Sequence, residues 1–437
     1  RLIEKNGRID PELYTRYNVK RGLRNSDGTG VLVGLTEIGD VHAYIIDENE
    51  KVPVEGRLFY RGIYINDFVQ GFQKEKRSGF EECCYLLLFG ELPDSKSLEE
   101  FKALLGDMRK LPDGFTRDMI LKAPSRDIMN KLARSVLVSY SYDENPEDTS
   151  ISNVLRQCIE LIARFPTMAA YGYQALSHYH DSRSLYIHIP KHELGTAENI
   201  LHMMRPDSKY TDMEAEILDL ALVLHAEHGG GNNSTFVAHV VTSSGTDTYS
   251  SVAAAIGSLK GPKHGGANIK VMEMMEDIKS HVSDWGNEKE VGDYLAKIIR
   301  REAFDKSGLI YGMGHAVYTL SDPRTTLLKQ KAAILAKEKG MEAEYGLYTL
   351  IEKLAPDIFS EVKKADKIIC ANVDFYSGFV YKMLNIPVEL YTPIFAVARI
   401  AGWCAHIIEE IINGGRIIRP AYKSVAGRRA YTPMSDR

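Results

Sequence analysis

Tryptophan and cysteine are scarce in these 437 residues: two of the first and five of the second. The cysteines are Cys83, Cys84, Cys158, Cys370 and Cys404, and none forms a Cys-x-x-Cys pair. That argues against a disulfide framework and for buried free thiols in a reducing compartment. Neither charge sign dominates, with 54 Lys and Arg against 59 Asp and Glu. No basic tract or aromatic-interleaved basic face stands out, so nucleic acid is not an expected partner. Long hydrophobic runs free of charge are missing too. The nearest, Ile394 to Ile412, approaches the length of about 20 residues that a bilayer needs. It carries Arg399, His406, Glu409 and Glu410, which makes spanning costly, and it reads as a buried helix with no membrane partner. No secretory leader is in view after Arg1, and cytoplasm is the default location, with the mitochondrial matrix left open.

Repeats, low-complexity linkers and a parallel βαβ series are also lacking. Extended structure is predicted at Val31–Ile46, as a strand or hairpin, and at Gly56–Gly62. The rest reads as helix, so the fold class is all-α. Glu81–Phe89 is one helix. Ser97 with Glu100 forms a capping box opening a helix to Lys110, and Ser125 caps a run to about Tyr140. Val154–Phe165 stops at Pro166, and Met168–Leu176 resumes the pattern. Met213–His225 is amphipathic, and Thr392-Pro393 opens the last long helix as N-cap and first residue. His178, His180, His188 and His192 show no regular ligand spacing, so a solvated loop is the better reading than a metal site. His225 and His228 lie three apart, but no third ligand with clear spacing accompanies them.

Three glycine-flanked polar stretches stand apart. Gly261-Pro262-Lys263-His264-Gly265-Gly266-Ala267-Asn268 falls between two helical patterns, so His264 sits in a tight turn beside the free amides of a helix start. The others are Gly312-Met313-Gly314-His315-Ala316-Val317-Tyr318, followed by Asp322-Pro323-Arg324, and Ala371-Asn372-Val373-Asp374-Phe375-Tyr376-Ser377-Gly378. A turn with a bystander histidine explains the first alone equally well; the ordered set of three it does not explain. Two histidines and a carboxylate are the types needed to form a carbon–carbon bond from a thioester methyl and a ketone. One base removes the proton, and one donor serves each carbonyl oxygen. Arg399, deep in an apolar helix, needs an anionic partner, whether a neighbouring acid or a ligand carboxylate.

These three stretches resemble the catalytic motifs of citrate synthases. Ala197–Met203, and His225-Ala226-Glu227-His228 with Asn233-Ser234-Thr235-Phe236, resemble two further family stretches in the right order. The resemblance runs from about Arg21 to Arg419. It implies Asp374 as base, His264 as donor to the thioester oxygen, and His315 as donor to the ketone of oxaloacetate. It further implies His228, Arg324, Arg399 and Arg419 as oxaloacetate ligands, and Gly312, Met313, Gly314, Lys364 and Lys367 as coenzyme A contacts. No metal or redox cofactor is implied. A large helical domain (1–265 and 379–437) would hold a smaller one (266–378), in a homodimer where Arg419 reaches the partner subunit. The expected reaction is acetyl-CoA, oxaloacetate and water giving citrate and CoA. A 2-methylcitrate synthase using propionyl-CoA needs the same groups. A catalytically silent dimer binding CoA esters or citrate is the rival from another class. This chain departs from the family where relatives usually read His-x-Asp-His-Glu, here His225-Ala226-Glu227-His228-Gly229. It also has Ala316 and Thr319 where many relatives carry an arginine.

Overall fold

The computed structural model describes all residues except Asn49 and 365–367, so the expected coenzyme A contact Lys367 lies outside the described residues. Two compact units emerge. One joins Arg1–Leu35 to Ile417–Arg437. It consists of short helices, Leu2–Gly7 and Pro11–Arg16, and a C-terminal tail, with no buried residue in either helix. Its ordering contacts are cation–ring pairs, Arg21 over Tyr14 at 4.3 Å and Lys423 over Tyr17 at 5.0 Å. Arg419 belongs to this unit and is exposed.

The other unit, Thr36–Arg416, is helical apart from one antiparallel sheet of Gly39–Asp47, Glu50–Tyr60 and Ile63–Tyr64. The all-α expectation holds. The extended segment starts at Gly39, not Val31, because Gly39 pairs with Tyr60 while Val31–Leu35 has no strand beside it. Tyr60 closes its strand and donates from its hydroxyl to Val223 O at 2.9 Å, with Glu227 O 3.2 Å away. The sheet thereby grips the segment that precedes His228.

Helix boundaries shift for identifiable reasons. Asp94 accepts from Ser97 N at 2.7 Å and starts the helix at Ser95, so Ser97 is inside it rather than its cap. Asp127, not Ser125, caps Ile128–Ser139 by accepting from Asn130 N. Pro166 does not divide its helix, which runs from Ile151 to Asp181. Phe165, Pro166 and Thr167 are all buried, and packing on every side outweighs the one missing hydrogen bond. Asp212–His225 is buried almost all round rather than amphipathic. The last long helix, Tyr391–Ile412, begins one residue before Thr392, whose hydroxyl donates to Gly265 O at 3.0 Å and ties down the His264 turn.

Tyr391–Ile412 is the axis of the unit. Every residue from Tyr391 to Ile408 is buried, and it packs on Phe80–Phe89, Ile151–Asp181, Asp212–His225 and Asn233–Thr242. Among the described residues no helix is long and apolar enough to cross a membrane. All five cysteines are free thiols. Gly402 lets this helix close on the Ala226–Glu227 segment: a Cβ there would overlap Glu227 Oε2 and stand 2.5 Å from Ala226 O, which is backbone and cannot yield. Gly402→Ala should therefore cost about 1–3 kcal/mol by overpacking. Equilibrium denaturation checks this, and an unchanged midpoint would contradict the close approach.

Candidate functional site

The His264 turn is held by Gly265 N donating to Leu259 O and His264 N donating to Gly261 O, both at 2.9 Å. Gly265 is required there, since a Cβ would meet Thr392 Cγ2 at 2.8 Å and crowd Leu259 O. His264 Nε2 lies 3.0 Å from Ser234 Oγ, which accepts from Trp403 Nε1 at 3.1 Å. The serine has one proton to give, to His264 Nε2 or to Asn232 Oδ1 at 3.1 Å. Given to the imidazole, it leaves Nδ1–H free for a ligand. Burial, and then the charge of Arg399, push the His264 pKa down to about 4. The ring is thus neutral at physiological pH. The cause is desolvation and a neighbouring guanidinium, where the sequence had pointed to helix amides.

The second and third motifs are stitched together. Met313 and Ala371 form an isolated antiparallel bridge. Gly314 N donates to Cys370 O at 2.7 Å and Asn372 N to Gly312 O at 2.9 Å. Asn372 Nδ2 donates to Gly314 O at 2.8 Å, while its Oδ1 caps the Val373–Met383 helix by accepting from Asp374 N. Gly312 has φ +78° and sits where a Cβ would strike Phe375, so the close approach itself demands glycine. One stitch therefore fixes both His315 and Asp374. His315 Nδ1 accepts from the backbone of Val317 at 3.0 Å and Tyr318 at 3.1 Å. In the neutral ring the proton must then be on Nε2, which makes that atom a donor. Asp374 keeps an edge open but is densely surrounded, and burial, opposed by Arg324 and Arg399, raises its pKa to about 6.

Two aromatic plates gather the cationic and imidazole groups. Tyr318 lies 4.8 Å from the His315 ring, 5.6 Å from His228 and 5.7 Å from the Arg324 guanidinium. Phe395 lies 4.7 Å from His225, 6.2 Å from His264 and 4.8 Å from the Arg399 guanidinium. The His228 and His315 rings are 5.1 Å apart. Burial, then Arg324, His315, Arg399 and His264, hold the His228 pKa well below its usual value. His228 Nε2 is buried with no hydrogen-bond partner.

The two arginines differ. Asp322 holds Arg324 in a bidentate pair, Oδ1 to Nε at 3.0 Å and Oδ2 to Nη2 at 2.7 Å. Arg399, fully buried, donates Nε to His225 O at 2.6 Å, yet both of its terminal nitrogens lack a partner. Among the described residues no carboxylate forms an ion pair with Arg399. The neighbouring-acid explanation for its burial is therefore not met, and two parallel donors remain for a ligand carboxylate.

The structure thus brings together His228, His264, His315, Arg324, Arg399 and Asp374. It does not bring the expected coenzyme A contacts to them in the form foreseen. The amides of Met313 and Gly314 donate to Ile310 O and Cys370 O, so backbone pairing consumes them. Lys364 ends the Glu342–Lys363 helix as an exposed left-handed cap with φ +51°. Trp403 and Phe395 went unremarked in the sequence. One of only two tryptophans, placed in a strongly apolar run, was the available signal for Trp403.

Fold and cluster describe an all-α protein that gathers two buried arginines, a carboxyl and three imidazoles at one place. The family model "Citrate synthase, C-terminal domain" matches residues 26–421. Citrate synthase of Synechocystis is 34% identical over 88% of this chain and 89% of its own length. The 2-methylcitrate synthase of Shewanella oneidensis is 32% identical over 87% of this chain and 92% of its own. A crystal structure of citrate synthase from Pyrobaculum aerophilum superposes with a TM-score of 0.75 at 29% identity, over 93% of this chain and 94% of that one. The chain belongs to the citrate synthase family, and it is an acyltransferase.

An unpaired buried guanidinium predicts an unusual variant. Arg399→Met should leave the unliganded fold as stable as before or more stable by about 1–4 kcal/mol, since the desolvation of an uncompensated charge is removed. Dicarboxylates should raise the melting temperature of the parent and not of the variant. A variant strongly destabilised without ligand would show that the protein itself satisfies Arg399.

Proposed function

We propose that the chain condenses acetyl-CoA with oxaloacetate and hydrolyses the product thioester, giving citrate and CoA. The observation that carries this is the pair of unpaired Arg399 nitrogens beside His264 and His228, whose pKa values burial lowers, and a carboxyl whose pKa is raised to about 6. Arg399 and Arg324 would bind the oxaloacetate carboxylates, with His228 Nε2 as a further donor. His315 Nε2–H would donate to the ketone oxygen and protonate it as the carbon–carbon bond forms. His264 Nδ1–H would donate to the thioester oxygen while Asp374 removes the methyl proton. Each donor to a developing oxyanion is worth about 3 kcal/mol in the transition state. Water then cleaves the citryl thioester and CoA leaves as the thiol. The protein groups supply the base and both donors, so the reading calls on no metal or redox cofactor.

Residues 266–378 would close as a smaller domain over the remainder, because an enolate must be kept from bulk water. Arg419 would complete the carboxylate site of the partner subunit in a homodimer. Lys364, Lys367 and Gly312 are the remaining candidates for coenzyme A. A cytoplasmic location suits such an enzyme. Propionyl-CoA as the thioester is the second reading, supported by 2-methylcitrate synthases among the relatives at similar identity. One methylene in an apolar pocket changes discrimination by only about 1–3 kcal/mol.

Release of free CoA thiol with oxaloacetate tests both esters in parallel. Acetyl-CoA should be the better substrate, and Asp374→Ala should lower kcat by about 100-fold or more, as for loss of a general base. A preference for propionyl-CoA would assign the same residues to the methylcitrate reaction. No release from folded protein would overturn the enzymatic reading.

The pH dependence has a definite sign. Asp374 acts as a base only when ionised, so kcat/KM should fall as pH drops through about 6. His264, whose pKa is about 4, stays neutral across that range and contributes no second limb above it. In Asp374→Glu the inflection should move while the arginine-dependent binding of oxaloacetate persists; a profile unmoved by this change would assign the inflection elsewhere.

A further inference from the structure

We propose that His239, His406 and Glu409 form a binding site for one zinc-type divalent metal ion, separate from the reaction chemistry. His406 lies on the same helix as Arg399, about two turns further along. His239 comes from the Asn233–Thr242 helix. One ligand atom from each of the three residues falls within a sphere where all lie within 4.8 Å of one another. His239 Nε2 and His406 Nδ1 face each other at 3.1 Å, and Glu409 Oε2 is 3.6 Å from His406 Nδ1. A tetrahedral ion with metal–nitrogen bonds of about 2.0–2.1 Å needs about 3.3 Å between two nitrogens, so the observed spacing requires almost no adjustment.

The outer nitrogens are already held as metal-bound histidines are held. His239 Nδ1 donates to Glu410 Oε2 at 2.8 Å, and His406 Nε2 donates to Glu227 Oε1 at 3.1 Å. Carboxylates on the far nitrogens fix ring orientation and raise ligand basicity. Glu409 Oε1 accepts from Glu37 N at 2.8 Å, while Oε2 is buried with no hydrogen-bond partner. That oxygen, buried without a hydrogen bond and 3.6 Å from His406 Nδ1, is the second observation favouring a cation. Gly230 backs the pair: a Cβ there would stand 3.6 Å from His239 Nε2 and 3.5 Å from His406 Cε1, so the absence of a side chain leaves room for a fourth ligand such as water.

Charge points the same way. Three carboxylates, Glu227, Glu409 and Glu410, face two imidazoles, and Arg399 acts on Glu227 from the substrate side. The carboxylates outnumber the cations the protein places against them, and a dication would meet that excess while both rings bind it as neutral ligands. Two imidazoles and a carboxylate suit Zn²⁺, with Co²⁺, Ni²⁺ and Cu²⁺ as alternatives of the same class. The ion would clamp the Asn233–Thr242 helix to Tyr391–Ile412 and, through Glu227, steady the segment that carries His228.

The test uses full-length protein stripped with a chelator, then dialysed against Zn²⁺ and assayed for metal content. One ion per chain is expected. Because His406 is fully buried, the variants are His239→Gln, Glu409→Gln and Glu410→Gln, each confirmed folded by circular dichroism. The first two should lose stoichiometric binding, and Glu410→Gln should weaken it by about 10–100-fold as an outer-shell partner. Co²⁺ absorption should report tetrahedral coordination in the parent and disappear in His239→Gln. Failure of the folded parent to retain one ion per chain would overturn the proposal. So would equal retention by His239→Gln and Glu409→Gln, which would place the metal elsewhere.

Discussion

A guanidinium with no counter-charge in the protein is the constraint around which the larger unit is arranged. Arg399 is wholly buried in a strongly apolar helix, bonded through Nε to His225 O and otherwise unsatisfied. Burial pulls even its pKa down, to about 10, against the opposing pull of Glu227. A fold can tolerate such a group only where other terms hold the surrounding helices in place. Here those terms are the packing of the surrounding helices against Tyr391–Ile412 and the Tyr60 hydroxyl anchoring the Val223–Glu227 segment. Burial lowers the pKa values of His264 and His228, and the same positive charge adds to that effect. Stability is given up at one atom group, and the gain is a pocket whose donors are oriented before any anion arrives.

Orientation of the reacting groups follows from backbone more than from side chains. The Met313–Ala371 bridge makes the His315 loop and the start of the Asp374 helix one piece, although nearly sixty residues separate them in sequence. Both His315 and His264 have one nitrogen committed inside the protein, to backbone amides and to Ser234 respectively. Commitment of one nitrogen decides the chemistry of the other. At His315 the commitment leaves Nε2 to carry the proton of the neutral ring, and at His264 the direction of the Ser234 proton decides which nitrogen donates.

How much of this the sequence disclosed depended on the kind of signal. The glycine-flanked motifs were legible because close backbone approach leaves glycine in the sequence, as at Gly265 and Gly312. Arg399 was legible as a charge among apolar residues. Pro166 misled because propensity is local, and a helix buried on every side overrides it. Ser97 misled because an earlier acid, Asp94, was the stronger cap. That the amides of Met313 and Gly314 pair within the backbone was not legible, because a sequence shows that an amide exists, not where it donates. Phe395 and Trp403 stayed hidden inside a hydrophobic run that looked like ordinary core.

Glu227 shows how a departure from the family pattern can be accommodated. It stands where relatives usually carry the shorter aspartate, and the extra methylene must go somewhere. Gly39 and Gly402 both approach so closely that any side chain on either would collide with it. The carboxylate uses Oε1 to accept from Gly229 N and to pair with His406, and it forms no ion pair with Arg399 among the described residues. A glutamate here aimed at Arg399 would have neutralised the guanidinium and removed the site's demand for an anion. Held by His406 instead, it moderates Arg399 through space without occupying the donors. Gly229, where relatives carry an acid, supplies the amide that completes this arrangement. The two substitutions read as one adjustment: a longer acid at 227, and beside it a residue with no side chain to compete for the space.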